Sequence, residues 1–146
     1  MTELAQKAYI FATIFTLSNR LQTLGDEFDE NITTKQWLFI LAVSSFKEPP
    51  TITEVANFIG YSRQNAKRIA ADLHDAGYVS LQKDENDARA LRVKLDPECI
   101  KYFKKRDKRE IEFLEQIFNR FDAELTDSVY KAFVKMEQNI KEMYKK

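Results

Sequence analysis

From Leu4 to Leu24, apolar side chains recur at Leu4, Phe11, Ile14, Leu17, Leu21 and Leu24, a three-and-four spacing that lays one stripe along a helix. Gly25 and the acidic cluster Asp26, Glu27, Asp29 and Glu30 are expected to end it. A second helix is predicted to start at Thr33, whose hydroxyl can cap free amides while Gln36, three residues on, reaches back in a capping box. Trp37, Phe39, Ile40, Leu41 and Val43 make most of its circumference apolar, which predicts a buried central helix. Pro49 and Pro50 stop it, because each lacks an amide proton and the residue before a proline avoids helical torsions.

The pattern then shortens. Thr51 and Glu54 repeat the capping-box spacing, and Val55, Phe58 and Ile59 supply the inner face of a short helix. Gly60 offers a left-handed turn, and Ser62 is suited to cap a further helix. Along that helix Ala66, Ile69, Ala70 and Leu73 point inward, whereas Arg63, Gln64, Lys67 and Arg68 point largely outward, and Gly77 ends it. All three glycines are therefore expected at helix boundaries.

Period two follows. Val79, Leu81 and Lys83 alternate with Ser80 and Gln82, and Leu91, Val93 and Leu95 alternate with Arg92 and Lys94, which predicts two short strands. The loop between them, Asp84 to Ala90, is polar and should project into solvent. Asp96 and Pro97 occupy favoured helix-start positions. The long helix after them carries Tyr102, Phe103, Ile111, Leu114, Ile117, Phe118 and Phe121 on one side. A break is expected near Thr126, before a final helix whose Val129, Phe133, Met136, Ile140 and Met143 step as a coiled-coil seam does.

Helix, glycine turn, helix and hairpin in this order describe a winged helix-turn-helix. The fold class expected is mainly α with a small β-hairpin wing (α+β). The winged-helix lobe spans 33–95, and helical segments at 1–32 and 96–146 have apolar stripes whose simplest partner is a second copy of the chain.

At 146 residues the chain suits one domain. Lys plus Arg equal Asp plus Glu at 23 each, so any attraction to nucleic acid must be local. One cysteine excludes an intrachain disulfide and a multi-cysteine zinc site and suits a reducing cytoplasm. The apolar run Ala8 to Leu17 does not read as a signal peptide, since Glu3 precedes it and threonines interrupt it, and it is too short to span a bilayer. A soluble cytoplasmic protein is expected, with no membrane partner.

The candidate chemistry is DNA recognition. Arg63, Lys67 and Arg68 can bind phosphates or, for arginine, fork onto guanine, while Gln64 and Asn65 can pair in two places with adenine. Ser62 and the first-turn amides can take a phosphate. Arg89 at the hairpin tip can enter a minor groove, with Asp87 two residues earlier placed to orient its guanidinium. Cys99 in a first helical turn could have a lowered thiol pKa, which keeps a redox-sensing regulator acting through Cys99 as an alternative, although a buried or inert cysteine is the commoner case. A winged-helix protein–protein interaction module is a second alternative. The lone His74 has no ligand cluster around it, and no phosphate loop or nucleophile elbow is present, so neither a metal, a cofactor nor catalysis is expected.

The chain resembles the MarR (multiple-antibiotic-resistance regulator) family of bacterial transcription regulators. Thr51, Glu54, Val55 and Ala56 are similar to its T-x-x-E-L-A helix start, and Ser62, Lys67, Arg68 and Leu73 to its recognition helix. Gly77-Tyr78-Val79 stands where the family turns into the wing, and Asp87 and Arg89 in Asp-Ala-Arg-Ala resemble its D-x-R-A/S wing signature. It departs at Leu95 to Cys99, where the family has L-T-x-x-G, and at Ala66 and Lys67, where valine and threonine are usual. The resemblance implies one MarR-type domain over 1–146 and an obligate homodimer joined through the first and last two helices. It implies a double-stranded, pseudo-palindromic DNA operator, repression or sometimes activation, and release by a small aromatic or anionic effector or by cysteine oxidation. Phe11, Phe15, Trp37 and Phe103 could line an effector cleft, or be plain core at helical spacing; the ligand-binding residues stay unknown.

Overall fold

The structure, a computed structural model, describes residues 1–145. In chain order it contains α1 (Glu3–Phe28), α2 (Thr34–Ser44), α3 (Ile52–Ile59), α4 (Arg63–Asp75), β1 (Val79–Lys83), β2 (Leu91–Leu95), α5 (Pro97–Ile117) and α6 (Ala123–Tyr144). The chain divides into two compact units, Met1–Tyr102 and Phe103–Lys146.

Local chemistry sets the helix starts. Thr33 Oγ1 accepts from Gln36 N at 3.1 Å while Gln36 Oε1 accepts from Thr33 N at 2.9 Å, and Thr51 and Glu54 make the same reciprocal pair. Ser62 Oγ accepts from Asn65 N to open α4. Gly60 ends α3 at φ +77°, and Gly77 follows α4 at φ +85°, where Tyr78 N donates to Leu73 O at 2.9 Å.

Gly25 has a different role from the one its pattern suggests. It lies inside α1, which runs on to Phe28. A Cβ at this position would stand 2.1 Å from Thr34 Oγ1, and Thr34 Oγ1 in turn donates to Gln22 O at 3.1 Å. The glycine thus permits close approach of α2 to the α1 backbone rather than a turn. Gly25→Ala is expected to cost about 1–3 kcal/mol of stability in urea denaturation. Adding Thr34→Ala should recover most of that loss; no recovery would show that the crowding lies elsewhere.

The break between the last helices also differs. α5 stops at Ile117 and α6 is capped by Asp122, whose carboxylate accepts from Leu125 N at 2.8 Å. The chain turns through Arg120 at φ +67°, with Phe118 and Phe121 edge to face at 5.2 Å. Those two rings belong to the turn, not to the α5 stripe. Thr126 sits within α6, its hydroxyl donating to Asp122 O at 2.8 Å.

The core lies in the first unit. Phe39, Ile40, Ala42 and Val43 of α2 are buried with Ile52, Val55 and Ala56 of α3, Ala66, Ile69, Ala70 and Leu73 of α4, and Val79 and Val93 of the hairpin. Trp37 is half-buried and Leu41 exposed, so α2 is buried on most but not all of its circumference. Phe58 is 59 % exposed rather than inward. It precedes Ile59 by one residue, about 100° around the helix, and so leaves the face that Ile52, Val55 and Ala56 define. Its ring lies 5.6 Å from that of Phe46.

β1 and β2 pair antiparallel with Val79 opposite Leu95 and Lys83 opposite Leu91. Val93 N also donates to Pro50 O at 2.8 Å and Thr51 bridges to Arg92, so the segment before α3 forms a short third rung. Asp29, which the sequence presents as one of an acidic cluster, is buried. Its carboxylate accepts from Asn31 N, Ile32 N and the Tyr102 hydroxyl, the last at 2.5 Å. The acceptor is thereby satisfied, as burial of a carboxylate requires.

Candidate nucleic-acid interface

α4 packs on the core through Ala66, Ile69, Ala70 and Leu73, and its opposite face is exposed. Ser62, Arg63, Gln64, Lys67 and Arg68 are exposed. The Ser62 hydroxyl is occupied as the helix cap. Asn65 is half-buried, and its Oδ1 accepts from Arg68 Nη2 at 3.0 Å, so these two side chains present themselves as a joined pair. The Gln64 side chain is exposed and makes no hydrogen bond among the described residues.

The wing loop is folded by carboxylates. Asp84 Oδ2 accepts from Asn86 N at 3.2 Å and Asp87 N at 3.1 Å, and Asp84 N donates to Ala90 O to close the loop. Asp87 Oδ1 accepts from Arg89 N at 3.0 Å. Asp87 therefore shapes the backbone at Arg89 instead of pairing with its guanidinium, which is exposed and makes no ion pair among the described residues.

α4 and the wing enclose a common cleft. Arg63, Lys67, Asp87, Arg89, Ala90 and Leu91 line a cavity of about 350 Å³ together with Thr51, Ile52 and Thr53. Three cations face it against one carboxylate, which leaves a local positive field on a chain of zero formal net charge. Arg68, Gln64 and Asn65 do not line this cavity and lie elsewhere on the α4 surface.

Arg92 and Asp84 are the residues that pattern reading missed. Arg92 Nε donates to Asp84 Oδ1 at 2.5 Å and Nη1 donates to Pro49 O at 2.6 Å, with Glu54 Oε1 at 3.9 Å. The bond from Arg92 holds the Asp84 carboxyl below its usual range, and Asp84 in turn raises Arg92. The hairpin register carried a signal, since Gln82 faces Arg92 and Asp84 lies two residues further on the same face.

Cys99 follows the inert reading and not the redox alternative. It is fully buried in the first turn of α5, and burial, aided by the nearby Asp96 charge, pushes its thiol up to about 11. Desolvation outweighs the helix-start field, so the reactive thiolate that a redox switch needs is not formed at neutral pH. A thiol reagent at pH 7 is expected to leave folded protein unmodified while labelling denatured protein fully. Rapid labelling of the folded form would contradict this burial.

Phe11 and Phe15 are exposed and pack edge to face at 5.2 Å; Phe103 lies in the second unit, beneath the Arg106 guanidinium at 5.0 Å. Among the described residues, no three His, Cys, Asp or Glu side chains are grouped to hold a metal ion, and no helix is long and apolar enough to cross a membrane.

Residues 30–90 match the model of the MarR family. The comparison with curated proteins returns no match. Among solved structures, a MarR protein from Peptoclostridium difficile is 20% identical with a TM-score of 0.81, covering 92% of this chain and 88% of that one. A MarR transcriptional regulator from Methanosarcina mazei is 23% identical with a TM-score of 0.77, covering 92% and 98%. The PcaV transcriptional regulator from Streptomyces coelicolor, solved in complex with its natural ligand, is 15% identical with a TM-score of 0.76, covering 94% and 96%. The fold is that of the MarR winged-helix proteins.

Proposed function

From a chain with the MarR fold and a MarR-family segment at residues 30–90, we infer a cytoplasmic, sequence-specific DNA-binding transcriptional regulator that represses by occupying a pseudo-palindromic operator as a homodimer. One observation carries this reading: Arg63 and Lys67 of α4 and Arg89 of the wing, all exposed, line the same cavity. A helix in the major groove and a wing on the adjacent backbone need that pairing of cations. Gln64, Arg68 and Asn65 supply base-edge donors and acceptors, Ser62 stands at the helix start, and Asp87 holds the wing loop that carries Arg89.

Dimerisation is supported by what α1 and α6 leave uncovered. Neither has a buried residue; Leu4, Phe11 and Phe15 on α1 are 77%, 66% and 59% exposed, and Phe133 and Met143 on α6 are 51% and 70% exposed. Apolar faces of this extent are rarely left to water. In this reading residues 33–95 form the DNA lobe and residues 1–32 and 96–146 the dimerisation lobe.

A dimer must set its two α4 helices about one helical turn, roughly 34 Å, apart. A small aromatic or anionic effector that favours another spacing would release DNA by its differential affinity for the two states. Selection of bound fragments from the source organism's DNA tests the function. The expected product is a site of two inverted half-sites about 10 base pairs apart centre to centre. Failure to enrich any sequence would refute it.

A further inference from the structure

A two-stranded hairpin is marginal by itself, and β1 and β2 contribute only Val79 and Val93 to the buried core. No residue of the loop from Asp84 to Ala90 is buried. Yet Arg89 must hold a fixed place relative to α4 if both are to meet one duplex. Backbone bonds from Asp84 N to Ala90 O and from Val93 N to Pro50 O close the loop and dock the hairpin, while the side-chain ties between the loop and the turn before α3 meet at Arg92. Arg92 Nε binds the first residue of the wing loop, Asp84, and Nη1 binds Pro49 O, just before α3. Asp84 passes the constraint on through Asn86 N and Asp87 N, and Asp87 through Arg89 N. An unbroken series of hydrogen bonds thus runs from the start of α3 to the wing arginine.

We propose that Arg92 is a positioning residue for DNA binding: its guanidinium clamps the wing loop to the turn before α3 and so sets the width of the cleft between Arg89 and α4. The proposal rests on the DNA-binding reading above. In this proposal Arg92 acts through Asp84, its Nε and Nη1 each donating within the protein. The carboxylate is as necessary as the cation. This gives the proposal a sign that simple electrostatics lacks, since Asp84→Asn removes a negative charge near DNA and by charge alone should tighten binding.

The full-length protein, Arg92→Met, Asp84→Asn and the double variant are compared on a DNA fragment that the parent selects, with amide order parameters of residues 85–89 measured by NMR without DNA. Both single variants are expected to bind about tenfold more weakly, the double variant no worse than the weaker single one, and the loop order parameters to fall below about 0.6 in each. Binding by Asp84→Asn equal to or tighter than the parent's would overturn the proposal, and a loss confined to Arg92→Met would make Arg92 a direct phosphate contact instead. Asp84→Asn is isosteric, so it decides the matter should Arg92→Met fail to fold. If the parent binds no DNA, the functional reading fails, while unchanged order parameters in both variants would separately overturn the clamp.

Discussion

Replacing Arg63, Lys67 and Arg89 together by alanine is expected to weaken operator binding about a thousandfold and leave folding almost untouched. The three side chains are exposed, line one cavity and make no ion pairs among the described residues, so removing them breaks little within the protein. Surface substitutions of that kind usually change stability by no more than about 0.5 kcal/mol. A dimer would lose six cations facing the duplex, and with each phosphate contact contributing about 0.9 to the salt slope, the slope should fall by as much as about 5. Electrophoretic mobility shifts at several salt concentrations, with thermal melting as the control, read both effects. Near-normal affinity in a folded variant would place the duplex elsewhere on the molecule.

Phe11→Asp with Phe15→Asp is expected to convert the protein to a monomer and cost about 10²–10⁴-fold in affinity for the full operator. These rings stand 5.2 Å apart on the exposed face of α1, a helix without one buried residue, so two carboxylates there would meet water in a monomer but an apolar seam in the proposed dimer. Affinity falls because binding of the second half-site ceases to be intramolecular, which removes its effective concentration. Affinity for a single half-site should stay unchanged. Sedimentation equilibrium measures the assembly directly, and a variant that remains dimeric would remove α1 from the interface.

Much of the fold could be read from short-range chemistry. The capping boxes at Thr33 and Thr51, the serine cap at Ser62 and the left-handed Gly60 and Gly77 depend on neighbours a few residues away, and each stands where spacing put it. The strands Val79–Lys83 and Leu91–Leu95 likewise follow from period-two alternation bounded by a polar loop. What pattern could not reveal depends on distant partners. Gly25 looks like a helix end until Thr34 is placed against it. Arg120 adopts a positive φ without being glycine, so the break before α6 carried no compositional mark. Asp29 is indistinguishable from its acidic neighbours until Tyr102, far along the chain, reaches its carboxylate.

The candidate interface divides in the same way. The outward cations of α4 and the wing arginine follow from helical periodicity and hairpin position, which are local properties. The Arg92 clamp required knowing that Pro49 O lies beside the hairpin, and Cys99 required knowing how completely its helix start is covered. In both, burial or a long-range acceptor decided the chemistry, and neither leaves a period in the sequence.

In the function proposed above, paired cationic helices and wings of a homodimer engage the phosphates of one specific duplex. Titration of the purified protein against its selected fragment over a range of salt concentrations tests this most directly. With about eight phosphates neutralised per dimer, log affinity should fall against log salt with a slope of roughly −7, and an unrelated fragment should bind far more weakly. A slope near zero, or equal affinity for both fragments, would contradict the account.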